Sequence, residues 1–304
     1  MYKFTDSEIT SFTTGMIKVR DELAKPDLDM ILAPMMGAVP LVDALNVIDS
    51  GFDNSNVYYV PASSSIESVD PIIARTLANI LREKVYVKAL TDKNYSIRSL
   101  DEVVGGGSAI RVTRNVHNGI RSFADRTASE LMRKAKQGDS TCKDYFGVDA
   151  SLNIPTKDVP PIHKKISNEI FKKFDYKSIG IEHGLFAKSG KHRQGTYQQL
   201  VNENKVIPIE VERIITMDNP DLCPVQYIAR NDVPYKNFPT IKPNYLVNDQ
   251  YLQLLAMIAA KAGNNADVSP KNLAKIKEHQ KYVPKEYHAP EQSLQTQVTL
   301  NVKE

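Results

Sequence analysis

A strand that leads through a glycine cluster into a long helical pattern constrains the fold of this chain more than any other feature. Tyr95–Leu100 is interpreted as a strand, and Gly105-Gly106-Gly107 follows it closely. Apolar residues then recur at helical spacing as far as Lys136. A strand, a tight turn and a helix in this order are typical of proteins in which helices pack on a parallel sheet.

The rest of the chain shows a similar alternation of strand-like and helical patterns. Apolar stripes at helical spacing predict helices over Asp6–Ala24 and Pro71–Glu83. Short runs rich in apolar, β-branched or aromatic residues predict strands. This alternation predicts a largely parallel sheet. Besides Tyr95–Leu100, the predicted strands are Met30–Ala33, Asn56–Val60, Lys84–Leu90, Lys177–Ile181 and Lys205–Val211.

Composition and charge exclude several classes of protein. No apolar run approaches the roughly 20 residues that cross a bilayer, so no membrane association is expected. The net charge of +3 is too small to indicate nucleic-acid binding by bulk electrostatics. Cys142 and Cys223 are far apart and form no CxxC pattern, which excludes a disulfide scaffold and a cysteine zinc site. Because the first residues also lack the pattern of a signal peptide, we expect a cytoplasmic protein.

The acid pair Asp101-Glu102, just before the glycine cluster, indicates a binding site. Successive glycines let backbone N–H groups converge on an anion, and the start of the following helix adds its dipole. Two carboxylates beside a phosphate would repel it unless they bind vicinal ribose hydroxyls, directly and through Mg²⁺. A sugar phosphate would satisfy both halves of the pattern. The alternative is a surface turn with a flexible glycine hinge and two solvated acids.

The segment Leu100–Ser108 resembles the binding motif for 5-phosphoribosyl 1-pyrophosphate (PRPP) in type I phosphoribosyltransferases. That motif has four apolar residues, two acids, two apolar residues, a short Thr/Ser/Gly run and a closing Gly-Thr or Gly-Ser. This chain departs from it in two ways. The preceding Ile97–Leu100 is more polar, and the phosphate loop is one residue short unless Ala109 replaces the closing hydroxyl.

A second segment, Asp29–Leu41, resembles the strand and tight loop that hold pyrophosphate in the same family. Backbone amides there must approach the diphosphate closely, which requires small residues. Gly37 and Ala38 meet that requirement. An ordinary turn between a strand and a helix is the alternative, and the position of this segment ahead of the acid pair favours the resemblance.

The resemblance implies an α/β fold with an open, mostly parallel sheet, helices on both faces, and ligand at the carboxyl ends of the strands. It implies a transferase of nucleotide metabolism that uses PRPP, or another ribose phosphate, with Mg²⁺. Asp101 and Glu102 would be the catalytic and metal-binding residues. The implied substrate-binding residues are Met36, Gly37, Ala38, Val39, Val103, Val104, Gly105, Gly106, Gly107 and Ser108.

The expected domain organisation has two parts. Residues 1–215 are assigned to the phosphoribosyltransferase-like domain, whose end is left open between 146 and 215. Residues 216–304 are assigned to an irregular proline-rich segment, Ile214–Asn244, and C-terminal helices at Val247–Lys261 and Pro270–Tyr282. The apolar character of the first of these helices suggests homo-oligomer formation through 247–282.

Two other functions stay open. The first is a catalytically silent module of the same fold that senses a nucleotide or PRPP. The second is an interaction protein that binds nucleic acid or another protein through the basic helix 111–136, although such a run of cations is more often a solvated helix face. His183 is the best histidine candidate for a site because it follows a predicted strand, and a structural histidine is the alternative.

Overall fold

The computed structural model describes residues 4–34, 37–60, 70–91, 93–103, 106–149, 155–183, 194–214, 225–229, 239–243 and 249–263. Its helices and strands alternate along most of the chain. The helices are α1 (Asp6–Leu23), α2 (Ala38–Ile48), α3 (Asp70–Ala89), α4 (Gly107–Ala135), α5 (Thr141–Phe146), α6 (Val159–Lys172), α7 (Gln194–Asn202) and α8 (Asp249–Lys261). The strands are β1 (Leu28–Pro34), β2 (Val57–Val60), β3 (Tyr95–Val103), β4 (Phe174–His183), β5 (Val206–Val211), β6 (Val225–Ala229) and β7 (Pro239–Pro243).

Five strands form one parallel sheet in the order β2-β1-β3-β4-β5. This confirms the predicted α/β fold with an open parallel sheet. The connection from β1 leads to β2 on one side of it, whereas β3, β4 and β5 follow one another on its other side. The strand order therefore reverses between β1 and β3. Open α/β sheets bind ligands at such a point, beyond the carboxyl ends of the strands. The turns that follow β1 and β3 are the two segments that the sequence singles out.

Helices cover both faces of the sheet, as predicted. On one face, apolar side chains of α1, α2 and α8 form a single buried cluster with residues of the sheet, among them Ile31, Leu100 and Ile179. On the other face, side chains of α3, α4 and α6 form a second cluster with Leu32 and Ile97. Burial on both faces is typical of a parallel sheet and explains why all nine residues of β3 are buried, its polar ones included.

The C-terminal helix α8 belongs to the first of these clusters. It packs on α1 and α2, and Tyr251 and Leu255 are buried there. The Tyr251 hydroxyl donates a 2.6 Å hydrogen bond to Oδ2 of Asp43 in α2. Lys261, at the last turn of α8, forms an ion pair of 2.7 Å with Asp6. The start of the second predicted helix, Pro270, and all that follows it lie outside the described residues, and the domain boundary after 215 stays a prediction.

Two predictions about local structure are wrong. The segment Lys84–Leu90, predicted as a strand, belongs to α3 up to Ala89. Val85 and Ala89 are both buried, and their spacing of four residues places them on one helical face. The segment Ile214–Asn244, predicted to be irregular, contains the antiparallel pair β6 and β7. Prolines occupy the two ends of β7, where they are compatible with a short strand.

Within the described part of the chain, no helix is long and apolar enough to cross a bilayer.

Candidate functional site

Gly37, in the turn after β1, lies against the acid pair at the end of β3. A Cβ atom added to Gly37 would lie 3.7 Å from Oδ1 of Asp101 and 3.9 Å from Oε2 of Glu102. The parallel pairing of β1 with β3 carries both turns to the same edge of the sheet. The structure therefore brings together two segments that the sequence analysis connected only through a family resemblance.

The two acids are buried on opposite faces of β3. Adjacent residues of a strand point to opposite sides, and Asp101 points to the α4 side, where Ser108 Oγ donates a 3.1 Å hydrogen bond to its Oδ1. Asp101 is 4% exposed and Glu102 is 5% exposed. The alternative of a surface turn with two solvated acids is therefore wrong. Burying a carboxylate has an energetic cost that its surroundings must offset, and such groups are common at functional sites.

Asp101 has an unmatched oxygen atom. Its Oδ2 is buried, and no described group donates a hydrogen bond to it. Burial raises the pKa of Asp101 to about 7, although the hydrogen bonds from Ser108 and from the Glu102 backbone act in the opposite direction. Leaving such an acceptor unpaired costs roughly 1–3 kcal/mol. A hydroxyl group or a cation at Oδ2 would therefore be stabilised.

The start of α4 forms the second half of the site. Gly106 precedes the helix with φ 71° and ψ −15°, a left-handed conformation that glycine adopts without strain. No side chain of the described residues caps this end, and the first turn of α4 contains no acidic residue. Gly107 and Ser108 are half-buried. The N–H groups of a first helical turn attract anions, so the predicted phosphate site stays a prediction that this geometry allows. Val104 and Gly105 lie outside the described residues.

The turn after β1 offers fewer groups for contact with a ligand than the resemblance implies. Ala38 and Val39 begin α2 and are completely buried in the apolar cluster of that face. Their side chains therefore face the core, and only their backbone amides remain as candidates for contact with a ligand. Gly37 is half-buried beside the acids. Met36 lies outside the described residues.

The sequence analysis missed a third carboxylate at this edge of the sheet. Glu182 of β4 is in register with Val103 and lies on the same face as Asp101. The Tyr197 hydroxyl of α7 donates a hydrogen bond to its Oε1. Gly180, the partner of Asp101 in the sheet, makes this contact possible, because a Cβ there would lie only 2.7 Å from the Tyr197 hydroxyl. The available signal was an acidic residue at the end of a predicted buried strand. The sequence analysis selects the neighbouring residue, His183, as its candidate for a site instead.

Tyr197 interacts electrostatically with both Glu182 and Asp101. Burial raises the pKa of Glu182, and the negative charge of Glu210 acts in the same direction. Burial also raises the pKa of Tyr197, with smaller contributions from its hydrogen bond to Glu182 and from the charge of Asp101. On the α4 side of this edge, burial therefore shifts the pKa values of both carboxyl groups, those of Asp101 and Glu182, upward.

The two carboxylates of the site are compatible with Mg²⁺ if substrate and water supply its other ligands. Among the described residues, no group of three or more His, Cys, Asp or Glu side chains is arranged to hold a metal ion. Mg²⁺ commonly uses one or two carboxylates and takes its other ligands from substrate phosphates and water. Asp101 and Glu102 would be those carboxylates, and the unmatched Oδ2 of Asp101 is the candidate ligand atom.

Arginines of the basic helix 111–136 contact two different neighbouring helices. Arg121 lies over the ring of Phe171 in α6, 4.0 Å from its centroid, and donates a 2.8 Å hydrogen bond to Asn168. Arg126 and Arg133 lie on the side of α4 that faces α3. Arg121 thus does not share one face of the helix with Arg126 and Arg133.

No protein-family model matches the chain, and comparison with curated proteins and with solved structures gives no match.

Proposed function

We propose that this protein is a phosphoribosyltransferase-like enzyme that binds PRPP and Mg²⁺ and transfers ribose 5-phosphate to an acceptor. The observation that carries the proposal is the meeting of Gly37, Asp101 and Glu102 at the point of the sheet where open α/β folds bind ligands. The buried Oδ2 of Asp101, which has no hydrogen-bond partner among the described residues, supports it further, because a ribose hydroxyl or a cation would satisfy that atom.

Each part of PRPP has a candidate partner in this arrangement. Asp101 and Glu102 would hold the ribose hydroxyls and the metal ion. The 5′-phosphate would lie at the glycine turn and the first turn of α4, where N–H groups attract an anion. The pyrophosphate would contact backbone amides of the turn at Gly37, which carries no side chain that blocks approach.

The proposed reaction is a displacement at the anomeric carbon of ribose. The acceptor nucleophile forms a bond to C1 as the bond from C1 to the pyrophosphate oxygen breaks, and pyrophosphate leaves with the electron pair. Bound Mg²⁺ supplies charge neutralisation for the leaving group. The protein's own contribution is to orient the ribose through Asp101 and Glu102 and to fix both phosphate ends with backbone dipoles.

A catalytically silent sensor of PRPP or a nucleotide is the second candidate. The turn between β3 and α4 has only three residues, 104–106, which offers fewer backbone amides to a phosphate than the family motif does. A sensor would need the same acids and the same helix start, but no geometry for turnover. Binding and turnover therefore have to be measured separately.

Calorimetric titration with PRPP, with and without Mg²⁺, tests binding. We expect micromolar affinity that depends on Mg²⁺. Release of pyrophosphate in the presence of nucleobase and small-amine acceptors then separates an enzyme from a sensor. Mg²⁺-dependent binding with no turnover for any acceptor would favour the sensor, whereas the absence of binding would contradict both candidates.

A further inference from the structure

A cavity of about 360 Å³ lies between α3 and α4, apart from the site at the carboxyl edge. Ala78, Phe123 and Thr127 contribute to its lining, and each is only 2% exposed. At 1.5 Å of rise per residue, Arg126 on its border is roughly 27 Å along α4 from Ser108. The volume is within the range of sites that bind small molecules.

The border of the cavity is positively charged. It carries Arg82 of α3 and, two helical turns apart on α4, Arg126 and Arg133. The one acid in the lining, Glu130, lies 4.0 Å from Arg82 and 3.6 Å from Lys134. No described acidic group is within ion-pair distance of Arg126 or Arg133. Glu130 lies between the two arginines on α4 but pairs with Arg82 and Lys134. Arg126 and Arg133 thus have no ion-pair partner among the described residues, and guanidinium groups bind phosphate with paired hydrogen bonds.

An aromatic ring forms one wall of the cavity. Tyr86 of α3 is half-buried, and the Lys134 ammonium group donates a 3.2 Å hydrogen bond to its hydroxyl and lies 5.4 Å from its ring centroid. This contact holds the Tyr86 ring in place. An apolar recess with a fixed aromatic wall accepts a flat ring by stacking and burial.

We propose that this cavity is a second binding site, for a small aromatic molecule that carries a phosphate group, such as a nucleoside monophosphate. The recess beside Tyr86, Phe123 and Ala78 takes the ring, and Arg126 and Arg133 take the phosphate. A polynucleotide fits less well, because Arg121, on another side of α4, is engaged by Phe171 and Asn168 of α6. This inference does not depend on the function proposed for the carboxyl edge.

Calorimetric titration of the full chain with AMP, adenosine and inorganic phosphate tests the proposal. AMP should bind, and adenosine or phosphate alone should bind at least about tenfold more weakly, since each lacks one half of the interaction. The double variant R126Q/R133Q should weaken AMP binding by about tenfold or more. Arg114, exposed on the same helix but outside the cavity, gives the control R114Q, which should change the affinity less than about twofold.

Two further variants separate this site from the carboxyl edge and from a folding defect. In D101N/E102Q, AMP binding should persist, because the cavity is far from those acids. A78L, which fills the recess from its buried wall, should weaken adenosine and AMP alike while circular dichroism shows a folded protein. Three results would overturn the proposal. They are no AMP binding by the parent protein, unchanged AMP binding in R126Q/R133Q, and AMP binding that is lost in D101N/E102Q but kept in R126Q/R133Q. Affinity for single-stranded oligonucleotides that rises with their length would also overturn it, in favour of a nucleic-acid surface.

Discussion

Gly37 and Asp101 are neighbours across the carboxyl edge of the sheet, and the space between them is just large enough for one methyl group. A Cβ atom at Gly37 would lie 3.7 Å from Oδ1 of Asp101, which is an ordinary van der Waals contact. The φ angle of Gly37 is −75°, a value open to any residue. Neither the backbone conformation nor a contact with the acids therefore requires glycine here, and the proposed function offers a reason for it: room for a ligand beside the acids.

This relationship makes G37A a test of the site that leaves the fold intact. We expect the free energy of unfolding to change by less than about 0.5 kcal/mol, since the added methyl meets no clash. PRPP affinity should fall by about tenfold or more, because the methyl group occupies the approach to the acids. Urea denaturation and calorimetry measure the two quantities. Unchanged affinity in G37A would place the ligand elsewhere.

Gly180 offers the opposite case, in which glycine is required for packing. A Cβ there would lie 2.7 Å from the Tyr197 hydroxyl and 2.9 Å from Cγ2 of Val103. We expect G180A to lower the free energy of unfolding by roughly 1–3 kcal/mol, because these two groups must shift. Urea denaturation measures this, with G195A as the control: beyond its own helical turn, no atom of the described residues lies within 4 Å of a Cβ at Gly195. Equal stability of the two variants would contradict the geometry of this contact.

The hydrogen bond from Tyr197 to Glu182 can be tested separately from the packing. In Y197F the ring stays and the donor is lost, which leaves Oε1 of Glu182 without this partner. We expect a loss of roughly 1–2 kcal/mol in the free energy of unfolding. Because this hydrogen bond lowers the pKa of Glu182, the pKa should rise further in Y197F. Carboxyl NMR titration would detect the rise, and an unchanged pKa would contradict the contact.

The buried pair Asp43–Tyr251 predicts how stability depends on pH. Burial raises the pKa of Asp43 from 3.8 to about 7, although the hydrogen bond from Tyr251 opposes this shift. Between those values the folded state binds more protons than the unfolded state, so the free energy of unfolding falls as pH rises. In D43N this fall between about pH 5 and pH 8 should be smaller by roughly 1–3 kcal/mol.

Urea denaturation at both pH values measures the difference for Asp43. Asp101, whose pKa burial also raises to about 7, acts in the same direction. The single variant D43N should therefore remove part of the slope, and D43N/D101N should remove more. Identical slopes in the parent protein and in D43N would show that Asp43 is ionised in the folded state.

Much of the fold follows from local patterns in the sequence. The stripe at Ile9, Phe12 and Met16 predicts α1, and the buried runs predict β1 and β4, because helical and strand periodicities differ clearly in those segments. Lys84–Leu90 shows where this fails. The apolar residues of so short a segment are compatible with both the strand period and the helical period, and Val85 and Ala89 have helical spacing. The segment is helical because the preceding helix continues through it.

The candidate site was predictable only in part. The acids and glycines of 101–107 are adjacent in sequence, so their chemistry can be interpreted together. Glu182 and Tyr197 are brought to Asp101 by the pairing of β3 with β4 and by the packing of α7, and no local pattern reports either contact. The cavity between α3 and α4 is also a product of packing, because Tyr86 and Arg126 meet only when the two helices are side by side.

Whether PRPP binds through the acid pair is tested most directly by comparing two charge-matched double variants. D101N/E102Q neutralises the acids of the site, and D21N/E22Q neutralises another adjacent Asp-Glu pair, at the end of α1, where Asp21 and Glu22 form ion pairs with Arg20 and Lys25. Calorimetric titration with PRPP and Mg²⁺ should give an affinity about tenfold or more below that of the parent for D101N/E102Q, and a parent-like affinity for D21N/E22Q. Equal affinities in both variants, or no binding by the parent protein, would contradict the account.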